Sequence, residues 1–547
     1  MVTYKAVNAG VDQIPAAPTP ALDTSGPTPE PGRVPVSRDE ARQVSWQCRF
    51  AGDLLFLAAA VVVMFLRLQP LLARHAPTGV DWGNMLTIGH AYLGHNLGSG
   101  GIDYPPLVPL LAVVATALAR PAVIFPVLAA IGSIAPAAGL YVALRPMHRG
   151  VRAALACGLL LLASSSAEQA VWGGLADLIG MACLPPLLVS LAMSLERPTR
   201  GRLLAFGASL FVLAAASYLA LAEAAVAMLA VVAVTVVLTE RGQRMQLRRR
   251  LLPLAVAAMP TLLLFPIYLR ILMALRIGFA ANQSQVLSIA AKFDYLFRED
   301  PDLWKLCIAV AAFLPVLAFV RRHSFDAAFH RAGTGLLVAA AVVSIGFPNV
   351  RFFYLVPVAA TFGVALFLMS FDVRADRLAT WVVAGSVVAV LGVNLSVEGQ
   401  GAFRLYPQQV RFYGNVSMSP HLLQAVEWLG SHTGRTDLVA VSAVHGSPIG
   451  WWVQGLAQRA ALTAAEPQLL YLKGQRRADA QAKSILTTFP SMAAIARARE
   501  LRVSYIFIAR SSGQYHPRRT NQFVQQHPAL VAFSNQGALI LRTGTGP

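Results

Sequence analysis

The chain has 547 residues, of which 56% are hydrophobic and only 13% charged. A soluble globular domain carries about a quarter charged residues, so this deficit excludes an ordinary water-soluble enzyme and points to lipid as the solvent. The formal net charge of +19 does not argue for nucleic acid, because many basic residues sit in short gaps between apolar runs, where the positive-inside rule expects them.

Residues 1–45, rich in Pro, Ala, Thr and charge, have little to bury and read as a disordered cytoplasmic tail. No cleavable signal precedes the first apolar run, which starts only after about fifty residues. Residues 46–397 then read as a transmembrane domain with about 11 transmembrane helices. The predicted spans lie near 51–70, 121–144, 151–166, 176–195, 203–220, 221–239, 251–275, 304–320, 333–347, 352–371 and 378–397. Basic clusters fall at Arg145, Arg149 and Arg152, at Arg197, Arg200 and Arg202, at Arg241 to Arg250, at Arg321-Arg322, and at Arg374 with Arg377. All five share the cytoplasmic side only if 105–119 does not cross the bilayer. That stretch is short and opens with two prolines, so it reads as an interfacial or re-entrant helix. The N-terminus is then inside and the C-terminal region outside. The four cysteines lie in or beside apolar segments, so neither a disulfide framework nor a cysteine metal site is expected in the C-terminal region.

The outer loop 71–120 carries the first candidate chemistry. Asp81 opens an apolar-polar segment, either as a helix cap or as a general base that deprotonates an acceptor hydroxyl. Asp103 directly precedes Tyr104-Pro105-Pro106, where it either braces the turn or serves as a second candidate base. Tyr104 and His90 are candidate substrate contacts. His90 and His95, five apart, are poorly spaced for a shared metal on one helix face; with His75 they read as surface or stacking residues. No Walker motif, dinucleotide fingerprint or Asp-x-Asp motif stands out, so no cofactor is required and a divalent metal is not indicated.

An early outer-loop Asp, a short helix, and then Asp-Tyr-Pro-Pro-Leu opening a second interfacial helix resemble the membrane glycosyltransferases of the GT-C fold. That group includes protein mannosyltransferases, aminoarabinose transferases and arabinofuranosyltransferases. The resemblance implies two juxtamembrane helices in the first loop, Asp81 as catalytic base and a polyprenyl-phosphate sugar donor. It also implies a glycan or other cell-envelope acceptor, membrane lipid as the surrounding medium, and no nucleic acid.

Further along, Trp172-Gly173-Gly174 suits an aromatic anchor and a close helix approach. Similar Gly-Gly turns in bacterial GT-C proteins face the same cavity as the first loop, so Trp172, Glu168 and Asp177 become acceptor-binding candidates, with one of the acids as a possible second carboxylate. Glu223 is an acid at a span edge. Arg351, isolated between two spans, reads either as a snorkelling cation or, by the resemblance, as the donor phosphate ligand. Arg276, with Lys292 and Arg298, adds positive potential to the loop 276–303.

From 398 to 547 the pattern becomes one of helices alternating with short apolar strands, an extracytoplasmic α/β domain. Trp451, Trp452, Tyr471 and Tyr515 are either sugar-stacking or core residues there, and 472–484 reads as a mobile basic loop. The expected activity is transfer of a pentose or hexose at the plasma membrane with inversion. A transporter or flippase of lipid-linked saccharides is the rival, and a non-catalytic envelope scaffold a third reading. The rival predicts internal repeats, and none is evident.

Overall fold

A computed structural model describes residues 38–79, 81–95, 104–147, 149–162, 164–239, 243–281, 327–346, 354–369, 418–444, 449–465 and 473–544, with Val410. Residues 1–48 form one unit and 49–547 a second; the packing below is that of the second.

The membrane part runs through α1 (Arg38–Leu72), α2 (Asp81–Tyr92), α3 (Leu107–Leu118), α4 (Pro121–Ala143), α5 (Arg149–Leu162), α6 (Ser164–Trp172) and α7 (Leu175–Glu196). It continues with α8 (Arg200–Ala216), α9 (Tyr218–Leu238), α10 (Arg244–Ala258), α11 (Phe265–Ala281), α12 (Ala327–Gly346) and α13 (Val356–Met369). Among the described residues, five segments are long and apolar enough to cross a membrane: Ala51–Leu72, Pro121–Ala143, Leu175–Glu196, Tyr218–Leu238 and Arg244–Met273. The expected spans 304–320 and 378–397 lie outside the described residues. Helix α3, at 12 residues, is about 18 Å long and too short to cross.

Several boundaries differ from expectation; the gap expected at 167–175, for one, is largely helix α6. The break expected at residue 220 falls at Ser217, whose extended backbone and hydroxyl, accepting from Ala220 N at 3.2 Å, cap α9. The span expected at 251–275 is a longer rod in which a 3-10 turn, Met259–Leu264, separates α10 from α11. Pro260 stands at the start of that turn, where the α ladder loses a donor.

Glycine contacts give the helices their sense. Gly132 of α4 faces Leu175 and Leu178 of α7, and Gly139 faces Ala182, so the two helices run parallel. A Cβ on Gly139 would stand 1.9 Å from the Ala182 carbonyl oxygen, which makes the crossing a backbone contact of the small-residue kind common between membrane helices. Helix α9 starts beside the start of α7, with Gly180 against Ala220. At the opposite end, Arg202 donates to the Met193 and Arg197 carbonyls (3.1 Å each), Arg250 to the Leu195 carbonyl (2.9 Å) and Arg331 to Glu196 (2.9 Å). Asp53, at the end where α4 finishes, binds Tyr141, Arg149 (3.1 Å) and Arg152 (2.5 Å). The described members of the first three basic clusters thus gather where α4 and α7 end, and α2 sits where α7 begins. Inside the bundle, Arg67 of α1 donates to the Ser133 (3.0 Å) and Leu160 (2.8 Å) carbonyls, tying α1 to α4 and α5.

The C-terminal part comprises α14 (Pro420–His432), β1 (Leu438–Val441), α15 (Ile449–Gly455), β2 (Ala460–Thr463), α16 (Lys473–Leu486), α17 (Met492–Glu500) and β3 (Tyr505–Ala509), then α18 (Pro517–Gln526), β4 (Val531–Ser534) and β5 (Ala538–Arg542). The sheet order is β2-β1-β3-β5-β4, with β1 parallel to β2 and β3, and β5 antiparallel to β3 and β4. Side chains alternate across each strand. Val439, Val441, Tyr505, Phe507 and Ile540 join one core with Trp82, Phe125 and Trp172. Ala440, Ile506, Ile508, Leu539 and Leu541 join another, with residues of α16, α17 and α18. The segment 472–484, expected to be a loop, is therefore largely helix α16. Its apolar residues Ala478, Ala482 and Ile485 recur at helical spacing and are buried.

Candidate functional site

The first outer loop is held against the Trp172-Gly173-Gly174 turn by close backbone contacts. Gly173 N and Gly174 N both donate to the Gln169 carbonyl, at 3.2 and 2.7 Å, closing the end of α6. Gly173 adopts φ +103, a conformation that L side chains rarely take. Asp81 packs against it: a Cβ on Gly173 would lie 3.1 Å from the Asp81 Cβ. Two residues earlier, Gly79 (φ +87) meets the backbone of Trp172, with a virtual Cβ only 2.3 Å from its carbonyl. Asp81 is half-buried as the first residue of α2, so the turn and the carboxylate form one structural feature.

Helix α7 starts just past the turn and carries Asp177 in its first turn. Ser217 Oγ donates to Asp177 Oδ1 at 2.7 Å. Glu223, one turn into α9 and 4% exposed, lies within reach of the Asp177 charge. Three acids, Asp81, Asp177 and Glu223, thus share the end of the bundle opposite the arginine clusters. Tyr104 joins them through its ring, edge-on to Tyr218 at 5.3 Å, and its carbonyl, which accepts from Tyr92 Oη at 2.7 Å.

The other candidates are as enclosed as Asp177, itself 7% exposed. Trp172 and Glu168 are buried. His90, read as a surface or stacking residue, is 7% exposed, with its ring 6.0 Å from that of His95. Its apolar position on α2, facing α15, is the reason. Trp451 and Trp452 are likewise buried, and Trp452 packs in one core with Trp82 of α2 and the sheet residues Val439 and Phe507. Asp103 and Arg351 lie outside the described residues, as does the side chain of Arg276, which falls in α11. Among the described residues, no group of three or more His, Cys, Asp or Glu is placed to hold a metal.

Burial, with a smaller contribution from the neighbouring His95, holds the His90 imidazole below its ordinary value of 6.5. The unfolded chain therefore binds this proton more readily than the folded one, and stability is lost as pH falls below about 6.5. The unfolding midpoint of the wild type is expected to drop between pH 7.5 and 5.5 more steeply than that of His90→Gln; equal slopes would refute this.

Sequence reasoning passed over Gly79 and Ser217. Ser217 carried a readable signal, a lone Ser ahead of an apolar run, whereas the role of Gly79 depends on a contact 93 residues away. No family model matches the chain, and no curated protein matches it significantly. Solved structures do. ArnT from Cupriavidus metallidurans in the apo state aligns at TM-score 0.50 and 14% identity, covering 92% of this chain and all of that one. The mycobacterial arabinofuranosyltransferase AftD, as its R1389S mutant, aligns at TM-score 0.53 and 14% identity, covering 89% of this chain but only 41% of that longer one. Identity this low speaks for architecture alone, and the architecture is the GT-C fold of membrane glycosyltransferases.

Proposed function

We propose that this protein transfers a pentose or hexose from a polyprenyl-phosphate donor to a glycan or other cell-envelope acceptor outside the cytoplasm. The observation that carries the reading is the seat of Asp81 against Gly173, at the acid-bearing end of a GT-C bundle. Asp81 accepts the proton of the acceptor hydroxyl. The freed oxygen attacks the anomeric carbon, the bond from that carbon to the phosphate oxygen breaks with inversion, and polyprenyl phosphate leaves.

Arg351 holds the departing phosphate through its planar guanidinium, with Arg276 adding positive potential. Support for Arg351 comes from Tyr354, which packs in the same core as Trp82 and Trp172. Three residues of chain reach about 11 Å at most. Asp103, joined directly to Tyr104, stands second as base. Tyr104 and Asp177 flank the acceptor, and Trp172, Glu168 and His90 shape the wall behind it. The reading needs no cofactor. By the positive-inside rule the arginine end faces the cytoplasm of the plasma membrane and the α/β part faces out.

The test is turnover in reconstituted vesicles with labelled polyprenyl-phosphoryl pentose or hexose. Release of polyprenyl phosphate with labelling of an envelope acceptor is expected. Movement of intact donor across the bilayer, with no cleavage, would replace this reading with a flippase.

A further inference from the structure

Helix α2 has only 12 residues, marginal as an isolated helix in water, and Asp81 stands at its first position, where the helix ladder constrains least. The direction of its carboxylate is therefore set by what packs on α2. One flank is the Trp172-Gly173-Gly174 turn. A second neighbour is α3, whose Pro109 carbonyl oxygen would stand 2.4 Å from a Cβ on Gly89, and the third is α15, from the C-terminal sheet layer.

The α2–α15 seam is a backbone contact. A Cβ on Gly455 would stand 2.5 Å from Leu86 Cβ, 2.8 Å from the Gly83 carbonyl oxygen and 3.1 Å from Thr87 N; one on Gly83 would stand 3.0 Å from Trp452. Thr87 Oγ1 lies 3.0 Å from both the Trp451 carbonyl across the seam and its own helix's Gly83 carbonyl, so its single hydrogen serves both. The Trp452 ring meets Phe125 edge-on at 6.1 Å, and Phe125 stacks on Trp82 at 4.5 Å, beside Asp81 in sequence. On its far side α15 is fastened to the sheet, with Gly450 against Thr463 and Gln454 Nε2 donating to the Ala461 carbonyl at 3.2 Å.

We propose that the C-terminal α/β region is the positioning element of the transferase, with α15 fixing α2 through Gly455 and the Thr87–Trp451 bond so that the Asp81 carboxylate meets the acceptor hydroxyl. This rests on the reading of Asp81 as base. Gly455 and Thr87 are positioning residues: Thr87 lies six residues along α2 from Asp81, about 9 Å of helix, and Gly455 acts only through α2.

The test uses the full chain in lipid nanodiscs with Gly455→Ala, Thr87→Val and Thr87→Ser. Amide hydrogen exchange, read without substrate, is expected to quicken at least about tenfold across α2 in Gly455→Ala while α7 stays unchanged. The kcat is expected to fall on the order of 10²-fold, as a misplacement of about 1 Å does, with the donor KM within about twofold. Thr87→Val falls in the same direction, and Thr87→Ser, which keeps the hydroxyl, restores turnover. Should Gly455→Ala fail to assemble, the threonine pair carries the test. Unchanged exchange in α2 overturns the proposal, and so does quickened exchange with unchanged kcat. Failure of the base assignment is read separately, from Asp81→Asn, and leaves the exchange result untouched.

Discussion

Asp81→Asn is expected to lose transfer by about 10²–10⁴-fold, the span that a positioned general base contributes, with the unfolding midpoint unchanged. The choice of asparagine decides between the two roles open to this residue. Asparagine caps a helix start about as well as aspartate, so a capping role survives the substitution, whereas asparagine accepts no proton from the acceptor hydroxyl. The geometry sharpens the comparison. Asp81 rests on a glycine with its virtual Cβ 3.1 Å away, and a side chain of nearly the same size keeps that contact. Initial rates at saturating donor, measured beside thermal unfolding, separate the cases: lost turnover at full stability identifies the base, and retained turnover leaves Asp81 as a cap and moves attention to Asp103.

What could be read in the sequence was what depends on local chemistry. The deficit of charge, the clustered arginines and the short proline-opened segment that becomes α3 report on solvent and span length, and each is a property of neighbouring residues. They lead to a bundle in which the described members of the first three clusters meet near the end of α7, with α2 and α3 as paired short helices. The Asp-Tyr-Pro-Pro-Leu run added the fold by resemblance. What could not be read depends on residues far apart in the chain. Nothing local marks Gly455 as the partner of Leu86, or Gly79 as the partner of Trp172, because a glycine in a loop and a glycine at a helix crossing look alike in sequence. His90 shows the same limit in reverse. Its ring read as a surface or stacking group, and the layer that buries it begins more than three hundred residues later. The basic segment 472–484 misled because its polar residues outnumber the few alanines and the isoleucine that fasten α16 to the sheet.

Gly79→Ala is expected to cost more than its size suggests, and a second glycine provides the control. Gly79 has φ +87 and Gly94 has φ +85, so alanine at either position bears nearly the same backbone penalty, about 1–2 kcal/mol for an L-residue held in the left-handed region. Their surroundings differ. Around Gly94, just past the end of α2, nothing lies within 4 Å of the virtual Cβ. At Gly79 the new methyl would stand 2.3 Å from the carbonyl carbon and oxygen of Trp172 and 2.8 Å from Gly173 N. These are backbone atoms that cannot rotate aside as a side chain does. The link from α1 to α2 must therefore lift off the turn, carrying Asp81 with it. Gly94→Ala is expected to lower stability slightly and leave kcat within about twofold. Gly79→Ala is expected to lose roughly 10²-fold in kcat, the effect of a displacement near 1 Å at the reacting groups, and more stability than the backbone term alone. Unfolding midpoints and initial rates on the two variants check this directly. If both variants behave alike, only the backbone penalty is being felt, and the contact between the first loop and the Trp172-Gly173-Gly174 turn does not set the position of the base.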